Sequence, residues 1–209
     1  MKTHTFGVAH IKSKVYANNY YKYDGFLGTA KSTIARQGAP SLIEALAHRG
    51  LISKPIVSYK FPRLTDGLYD GQVTFGGLDS SKFDKDTLVT FKNINRGFWE
   101  GHTNIAIGGK DIGLQNRTAV FTTIHTYIYA PKDDVNAFHA KIPGSKTNDK
   151  GDHIIPCTNT AVVSLTFGGR AFDINPIDLL DAPVDPNLPK GDCYSNILPF
   201  SGGRDKQWL

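Results

Sequence analysis

Apolar residues fall at helical spacing in two stretches of the chain, and each stretch has signals for where a helix starts and stops. In the first stretch, apolar residues of the segment 42–46 share one side of a helix. Ser41 and Glu44 have the spacing of a capping box, and Gly50 is typical of a helix end. The pattern predicts a helix that begins after Ser41 and ends before Gly50.

The second stretch follows Pro131, a residue that suits the first turn of a helix. Val135, Phe138 and Ile142 form a stripe at helical spacing, and Gly144 is expected to end the helix. We assign this stripe to the hydrophobic core and not to a cofactor site.

Most other apolar segments are short and bounded by glycine or polar turn residues, which predicts strands. The segments 105–109 and 165–169 each run into a Gly-Gly pair and predict hairpins. The polar, turn-rich segment 63–71 predicts a linker between two lobes. Further strands are predicted at residues 5–9, 55–61, 72–75 and 103–107.

The composition agrees with a turn-rich, strand-rich globular protein and argues against some classes of function. Hydrophobic residues make up 40% of the 209 residues, with 21 Gly, 11 Pro, 9 Tyr and 12 Phe. The net charge of +5 comes from scattered Lys and Arg without a basic run, so we expect no nucleic-acid partner. No apolar run reaches the ~18 residues of a membrane span, and the first residues lack the apolar core of a signal peptide.

The only cysteines, Cys157 and Cys193, exclude a Cys-rich zinc module and leave either one disulfide or two free thiols. Asn116-Arg117-Thr118 is a glycosylation sequon, with Asn116 as the acceptor. Together, a disulfide and a sequon favour a protein of the secretory pathway.

Other patterns that carry chemistry are weak. The 7 histidines include no His-Glu-x-x-His or paired i, i+4 arrangement, so we expect no metal site and no cofactor. His125 and His139 are interpreted as structural histidines. Asp86-Thr87, the chain's only Asp-Thr pair, is followed by Leu88 and predicts a surface strand.

Several segments resemble those of the pepsin-like aspartic proteases (peptidase family A1), particularly the fungal type. The segment 71–83, Gly-Gln-Val-Thr-Phe-Gly-Gly-Leu-Asp-Ser-Ser-Lys-Phe, is similar to the entrance of that family's C-terminal lobe and is the most specific match. The segment 24–30, Asp-Gly-Phe-Leu-Gly-Thr-Ala, resembles the family's Asp-Gly-(Ile/Leu)-Leu-Gly-Leu-Ala. Further similar segments are 6–9, 98–99 and 175–180.

The segment 119–131, Ala-Val-Phe-Thr-Thr-Ile-His-Thr-Tyr-Ile-Tyr-Ala-Pro, resembles the family's second active-site loop, which contains Asp-Thr-Gly-Thr/Ser. Thr122 stands in the place of the catalytic Asp, Ile124 in that of Gly, and His125 in that of the following Thr or Ser. Only Thr123 remains of Asp-Thr-Gly. Such a dyad needs two carboxylates about 3 Å apart that share one proton, and a threonine cannot share it. The resemblance therefore implies that this chain supplies no catalytic residue.

The resemblance implies a mainly β, bilobal, pepsin-like acid-protease fold that is incomplete in this chain. Residues 1–62 are expected to be a partial N-terminal lobe, 63–71 the lobe linker, and 72–209 a C-terminal lobe without its closing strands. The family's first Asp-Thr-Gly and its flap tyrosine have no counterpart here. The resemblance also implies a disulfide between Cys157 and Cys193, a secreted or vacuolar location, and a monomeric state when the protein is full length.

The first hypothesis is a degenerate aspartic-protease-like protein that does not hydrolyse peptides but binds an extended peptide in its cleft. Thr122, Thr123, Ile124 and Tyr127 are the expected floor of that cleft. An alternative is a fragment of an active acid endopeptidase, and another is a non-enzymatic secreted structural or recognition module. Apart from any family, the segment 119–131 predicts a buried strand that leads into a helix.

Overall fold

The structure is a computed structural model that describes residues 4–11, 13–14, 24–200, 202 and 206–209. The chain divides into two compact units, residues 1–88 and 89–209, and each is described by itself. The helices with described bounds are α1 (Leu42–His48) and α2 (Lys132–His139), and the 3-10 turns are Ser32–Ile34, Leu64–Asp66, Lys85–Thr87 and Pro176–Leu179. The strands are β1 (Val57–Lys60), β2 (Gln72–Phe75), β3 (Glu100–Ile107), β4 (Lys110–Asp111), β5 (Arg117–Val120), β6 (Ile128–Ala130), β7 (Lys146–Thr147), β8 (His153–Pro156), β9 (Val163–Phe167), β10 (Arg170–Ile174), β11 (Leu180–Pro183), β12 (Asp192–Ser195), β13 (Ile197–Pro199) and β14 (Gln207–Trp208).

The predicted mainly β fold is confirmed, because strands outnumber helices throughout the described residues. The two predicted Gly-Gly hairpins are also present, as the antiparallel pairs β3–β4 and β9–β10. No described helix combines the length and the apolar composition that a membrane crossing requires.

The first unit contains α1 and an antiparallel hairpin in which β1 and β2 pair along their full length. The predicted capping box is present: the Glu44 N–H donates to Ser41 Oγ at 3.3 Å, and the Ser41 N–H donates to Glu44 Oε2 at 2.9 Å. Gly50 follows the helix with a φ of 68°, a conformation that favours glycine. Local sequence signals therefore set both ends of α1.

Two other predictions for the first unit concern its loops. The predicted linker 63–71 lies in the connection between β1 and β2, and its role as a lobe boundary stays a prediction. The predicted strand at residues 5–9 is wrong, because no described strand pairs with this segment. Its apolar side chains are instead open to solvent, with Phe6 77% and Val8 66% exposed.

The predicted surface strand at Asp86-Thr87 is also wrong. Lys85–Thr87 is a 3-10 turn, and the Asp84 carboxylate caps it by accepting from the Asp86 N–H at 3.0 Å. Aspartate competes well for nearby backbone N–H groups, and this favours a turn over an extended ladder.

The larger sheet of the second unit runs in the order β10-β9-β3-β5-β14, with β4 beside β3. β14 pairs in parallel with β5, and Leu209 then exchanges both backbone hydrogen bonds with Tyr129 of β6, at 2.8 and 3.0 Å. The chain end therefore lies between β5 and β6. β13 pairs in parallel with β6 on the other side. These parallel pairs fix β5 and β6, the two strands that the segment 121–127 connects.

A second, antiparallel sheet has the order β11-β12-β8-β7. The expected disulfide is present between Cys193 of β12 and Cys157, which directly follows β8. α2 contributes Val135 and Phe138, which are 0% and 1% exposed, to a core shared with strands of both sheets. The predicted assignment of this helical stripe to the core is confirmed.

α2 is shorter than predicted. It ends at His139 and not near Gly144, and Pro131 occupies the N-cap position instead of the first turn. A proline disfavours helical geometry in the residue before it, so Pro143 prevents Ile142 from continuing the helix. Ile142 still belongs to the core and is 3% exposed.

A buried carboxylate joins α2 to the parallel pair β5–β14. Asp134 is 2% exposed, and its oxygens accept from the Arg117 guanidinium of β5 at 2.5 and 2.7 Å. The indole N–H of Trp208 in β14 donates to the same carboxylate at 2.9 Å. The hydrogen bonding of the guanidinium to Asp134 raises the pKa of Arg117. We call Arg117, Asp134 and Trp208 the Asp134 network.

We expect Asp134→Asn to lower the free energy of unfolding by about 3 to 5 kcal/mol, because it leaves a nearly buried guanidinium without its counter-charge. Urea unfolding at neutral pH measures the change. Asp133→Asn is the matched control, since Asp133 is exposed on the same first turn of α2. Equal losses for the two variants would mean that charge at the helix start, and not the Asp134 network, carries the effect.

We expect replacement of both cysteines by serine to lower the free energy of unfolding by about 2 to 4 kcal/mol, because an open loop has more conformational freedom in the unfolded chain. The bridged loop has a sequence separation of 36 residues. Urea unfolding of the oxidised wild type and the double variant provides the comparison. Unchanged stability would show that the bridge contributes nothing beyond the packing of β8 against β12.

Candidate functional site

The residues that resemble a catalytic motif lie on a loop between two strands, residues 121–127, which we call the motif loop. β5 ends at Val120, and the Phe121 N–H then donates to the Trp99 carbonyl at 2.8 Å. Thr122 closes a local turn, in which its Oγ1 accepts from the Ile124 N–H at 3.3 Å. The predicted buried strand and helix are both present, as β5 and α2, but the motif loop and a second strand, β6, lie between them.

Three aromatic rings hold the start of the motif loop. The Phe121 ring lies 4.9 Å from that of Phe167 and 5.9 Å from that of Phe91, between ring centroids. The Phe91 ring also covers the backbone of Gly101, where an added Cβ would lie 2.3 Å from it. A side chain at Gly101 would therefore displace one of the rings that anchor the loop.

The predicted cleft residues share this one loop but differ in exposure. Thr122 and Tyr127 are half-buried, while Thr123 and Ile124 are exposed, Ile124 by 66%. The hydroxyl of Tyr127 donates to Asp181 Oδ2 of β11 at 3.2 Å. The negative charge of Asp181 and this hydrogen bond raise the pKa of Tyr127.

On the β6 side of the loop, the ring of Tyr129 contacts three other aromatic rings. Its ring centroid lies 5.1 Å from that of His125, 6.3 Å from Tyr127 and 5.7 Å from Phe200. We call these four residues the aromatic patch. Phe200, which follows β13, is 39% exposed. The patch offers apolar ring faces beside polar ring edges, a combination suited to contact with amphipathic ligands.

Sequence reasoning missed two residues that contact the motif loop or the aromatic patch, Asp181 and Phe200. Both come from segments far from the motif loop along the chain, and neither lies in a pattern that indicates a site. The prediction that His125 and His139 are structural histidines stays a prediction. His125 packs on Tyr129, whereas His139 lies in the interior against His153.

A buried carboxylate, Glu100, lies on the strand next to the motif loop. Its side chain is 1% exposed, and Oε1 accepts from Thr118 Oγ1 at 2.7 Å and from Gln207 Nε2 at 2.9 Å. Oε2 is buried and has no hydrogen-bond partner in the described part of the chain. Glu100 is directed toward Thr118, which precedes Thr122 by four residues on β5 and its extension. Through these two bonds, Glu100 of β3 links β5 with β14.

Features outside the motif loop offer less chemistry. A cavity of about 210 Å³ beside the β1–β2 hairpin contains none of the predicted site residues. Within the described residues, no group of three or more His, Cys, Asp or Glu is placed to hold a metal ion. The sequon residue Asn116 is exposed in a turn, with a φ of 57°.

Comparison with known proteins is consistent with these features. The eukaryotic aspartyl protease family model matches residues 1–209. The aspartic-type endopeptidase ctsD of Aspergillus fumigatus is 33% identical over 207 residues, which is 98% of this chain and 42% of that protein. Rhizopuspepsin-1 of Rhizopus niveus is 33% identical over 211 residues, which is 98% of this chain and 50% of that protein. Cathepsin D of Dictyostelium discoideum is 27% identical over 221 residues, which is 98% of this chain and 56% of that protein.

The matches extend along nearly the whole of this chain but only part of each relative. The chain spans about half the length of these relatives, from 42% to 56%. The family match covers the motif loop and both units together. The chain therefore belongs to the eukaryotic aspartyl protease family.

Proposed function

We propose that this chain is a catalytically inactive member of its family that binds an extended peptide along the motif loop. The observation that carries the proposal is Thr122, which by the sequence resemblance stands in the place of the catalytic Asp, on a loop between β5 and β6. Acid catalysis of this type requires two carboxylates that share one proton, and the motif loop carries none. Pairing two copies of the chain would bring two threonines together.

Peptide binding is supported by what the loop presents. Thr123 and Ile124 are exposed, and the aromatic patch continues from them along β6. An extended peptide has backbone groups for the exposed loop and apolar side chains for the rings. Relatives named as endopeptidases act on peptide bonds, so a peptide is the ligand class that family membership favours.

Two finer proposals concern the cellular setting. We propose a secreted or vacuolar location, because the disulfide between Cys157 and Cys193 favours an oxidising compartment. We also propose glycosylation at Asn116, whose side chain lies on an exposed turn. For the full-length protein we propose a monomer.

A second candidate function is a part of an active acid endopeptidase. The observation that favours it is coverage, since the chain spans only 42% of one endopeptidase relative. Both carboxylates of the dyad would then have to come from residues other than those of the motif loop. A non-enzymatic structural or recognition module is the remaining alternative, and peptide binding separates it from the first proposal.

We expect the purified chain to cleave no denatured protein substrate between about pH 3 and 5, where a carboxylate dyad works. Thr122→Asp should remain equally inactive, because a single added carboxylate still lacks a partner with which to share a proton. Assays with and without pepstatin, on samples shown to be folded at the assay pH by near-ultraviolet circular dichroism, make the measurement. Pepstatin-sensitive cleavage by the wild type would contradict inactivity and favour the endopeptidase.

We expect pepstatin or an extended apolar peptide to bind the folded chain at neutral pH, measured by isothermal titration calorimetry. Tyr127→Ala should weaken binding about tenfold, because it removes one ring of the aromatic patch and its bond to Asp181. Tyr69→Ala is the matched control, since Tyr69 is 94% exposed in the first unit. Absence of binding by folded wild type would leave the structural module as the better reading.

A further inference from the structure

Two histidines of the second unit stack against each other in its interior. His139 ends α2 and His153 begins β8, and their ring centroids lie 4.0 Å apart with an interplanar angle of 11°. The residues are 3% and 8% exposed. Two neutral imidazoles stack favourably in such a place, whereas a positive charge on either loses hydration and faces the other ring.

Hydrogen bonds hold His139 in one neutral form. Its Nδ1 lies 2.7 Å from the Val135 carbonyl, which can only accept, so Nδ1 carries the proton. Its Nε2 lies 2.9 Å from Ser195 Oγ and accepts from that hydroxyl. Ser195 Oγ in turn accepts from the Ile197 N–H at 3.1 Å. Every polar group in this chain of bonds is satisfied when His139 is neutral.

A second proton on His139 would disrupt the chain of bonds. It would place an N–H against Ser195 Oγ and force the buried serine hydroxyl to find another acceptor. Burial lowers the pKa of His139 to about 4, an effect that the bond to Val135 opposes and the neighbouring His153 strengthens. Burial also lowers the pKa of His153, against the raising effect of Asp152.

The surrounding charges offer the pair little compensation. Lys146 of β7 and Asp192 of β12 form an ion pair with each other at 2.6 Å. In the part of the chain that is described, neither imidazole is hydrogen-bonded to a carboxylate. The titratable and charged groups on the elements packed around the pair are Lys132, Asp133, Asp134, Lys141, Lys146, Asp152, Asp178, Asp181, Asp192 and Tyr194.

The chain of bonds leads to the strands that hold the motif loop. Ile197, the last donor, begins β13, which pairs in parallel with β6. The Ile128 N–H at the start of β6 donates to the Asn196 carbonyl at 2.9 Å. A change at His139 therefore reaches, through Ser195 and Ile197, the strand that follows the motif loop.

We propose that the His139–His153 stack is an acid-sensitive latch. When both rings are neutral, the stack holds α2 against β8 and β12 and fixes β13. When a ring is protonated, β13 and the motif loop are released. This latch does not depend on the proposed peptide binding. A histidine whose pKa is lowered by folding gives its full stabilisation above the unfolded pKa of 6.5, and this is lost as the pH falls toward about 4. The unfolding equilibrium constant should therefore rise about tenfold per pH unit for each such histidine in that window.

Urea unfolding of the full chain between pH 7.5 and 5, followed by tryptophan fluorescence, tests the latch. The double variant H139Q/H153Q keeps polar side chains of similar size that cannot become charged, so its stability should fall less with pH than that of the wild type. H48Q/H102Q is the matched control, because both residues are exposed, and it should keep the wild-type pH dependence. An H139Q/H153Q protein with the full wild-type pH dependence overturns the proposal.

A second measurement on the wild type serves in case the double variant does not fold. Side-chain NMR should show the ring of His139 neutral in the folded protein at pH 5.5. Hydrogen exchange of the Ile197 amide, corrected for the intrinsic rate, should be faster at pH 5.5 than at pH 7.5. A protonated His139 ring in the folded protein at pH 5.5, or an Ile197 amide equally protected at both pH values, would overturn the latch.

Discussion

The Asp134 carboxylate is the interaction on which the geometry of the second unit depends. It lies at the start of α2, and it binds Arg117 of β5 and Trp208 of β14, so one buried charge orients a helix and two parallel strands. Such a charge is tolerated in the interior because a bidentate guanidinium and an indole N–H replace the water it lost. The motif loop begins directly after β5, one of these two strands. The network therefore fixes the strand from which the loop starts.

The strands that flank the motif loop are held by contacts that lie outside the loop itself. The strands on either side of the motif loop are held by Asp134, by Glu100 with Gln207, and by backbone bonds to the chain end. None of these contacts uses the side chain at position 122. A threonine at this position leaves these interactions intact, and the proposed inactivity follows from its lack of a carboxylate that could share a proton.

The histidine pair makes the second unit more stable at neutral pH than in acid, and this fits a motif loop that carries no carboxylate. Proteins that use a carboxylate dyad work in acid, and buried neutral histidines oppose folding in acid. His139 is the last residue of α2, and His153 is the first residue of β8 in the sheet that carries the disulfide. If the chain is inactive as proposed, stability in acid is not needed for catalysis, and a latch of this kind is compatible with the proposed binding role.

The sequence by itself determined the features whose causes lie within a few residues of one another. The capping box of Ser41 and Glu44 set the start of α1, the Gly-Gly pairs set two hairpins, and the motif segments indicated the family. The same local reasoning failed where a strand needs a partner: residues 5–9 have a strand-like pattern, but none of the described strands pairs with them. The sequence-based prediction also made α2 too long. The apolar stripe continues to Ile142, whereas Pro143 disfavours helical geometry in that residue.

Only the tertiary structure decided which distant residues meet. Trp208 reaches Asp134 across 74 residues, Gln207 reaches Glu100 across 107, and Ser195 reaches His139 across 56. Local periodicity records which face of an element is buried but not which polar group on another element will satisfy it. The pairing of two histidines, the parallel strands around the motif loop and the aromatic patch all depend on such long-range contacts. The residues that define the family could therefore be read from the chain, whereas the interactions that hold and regulate its loop required the fold.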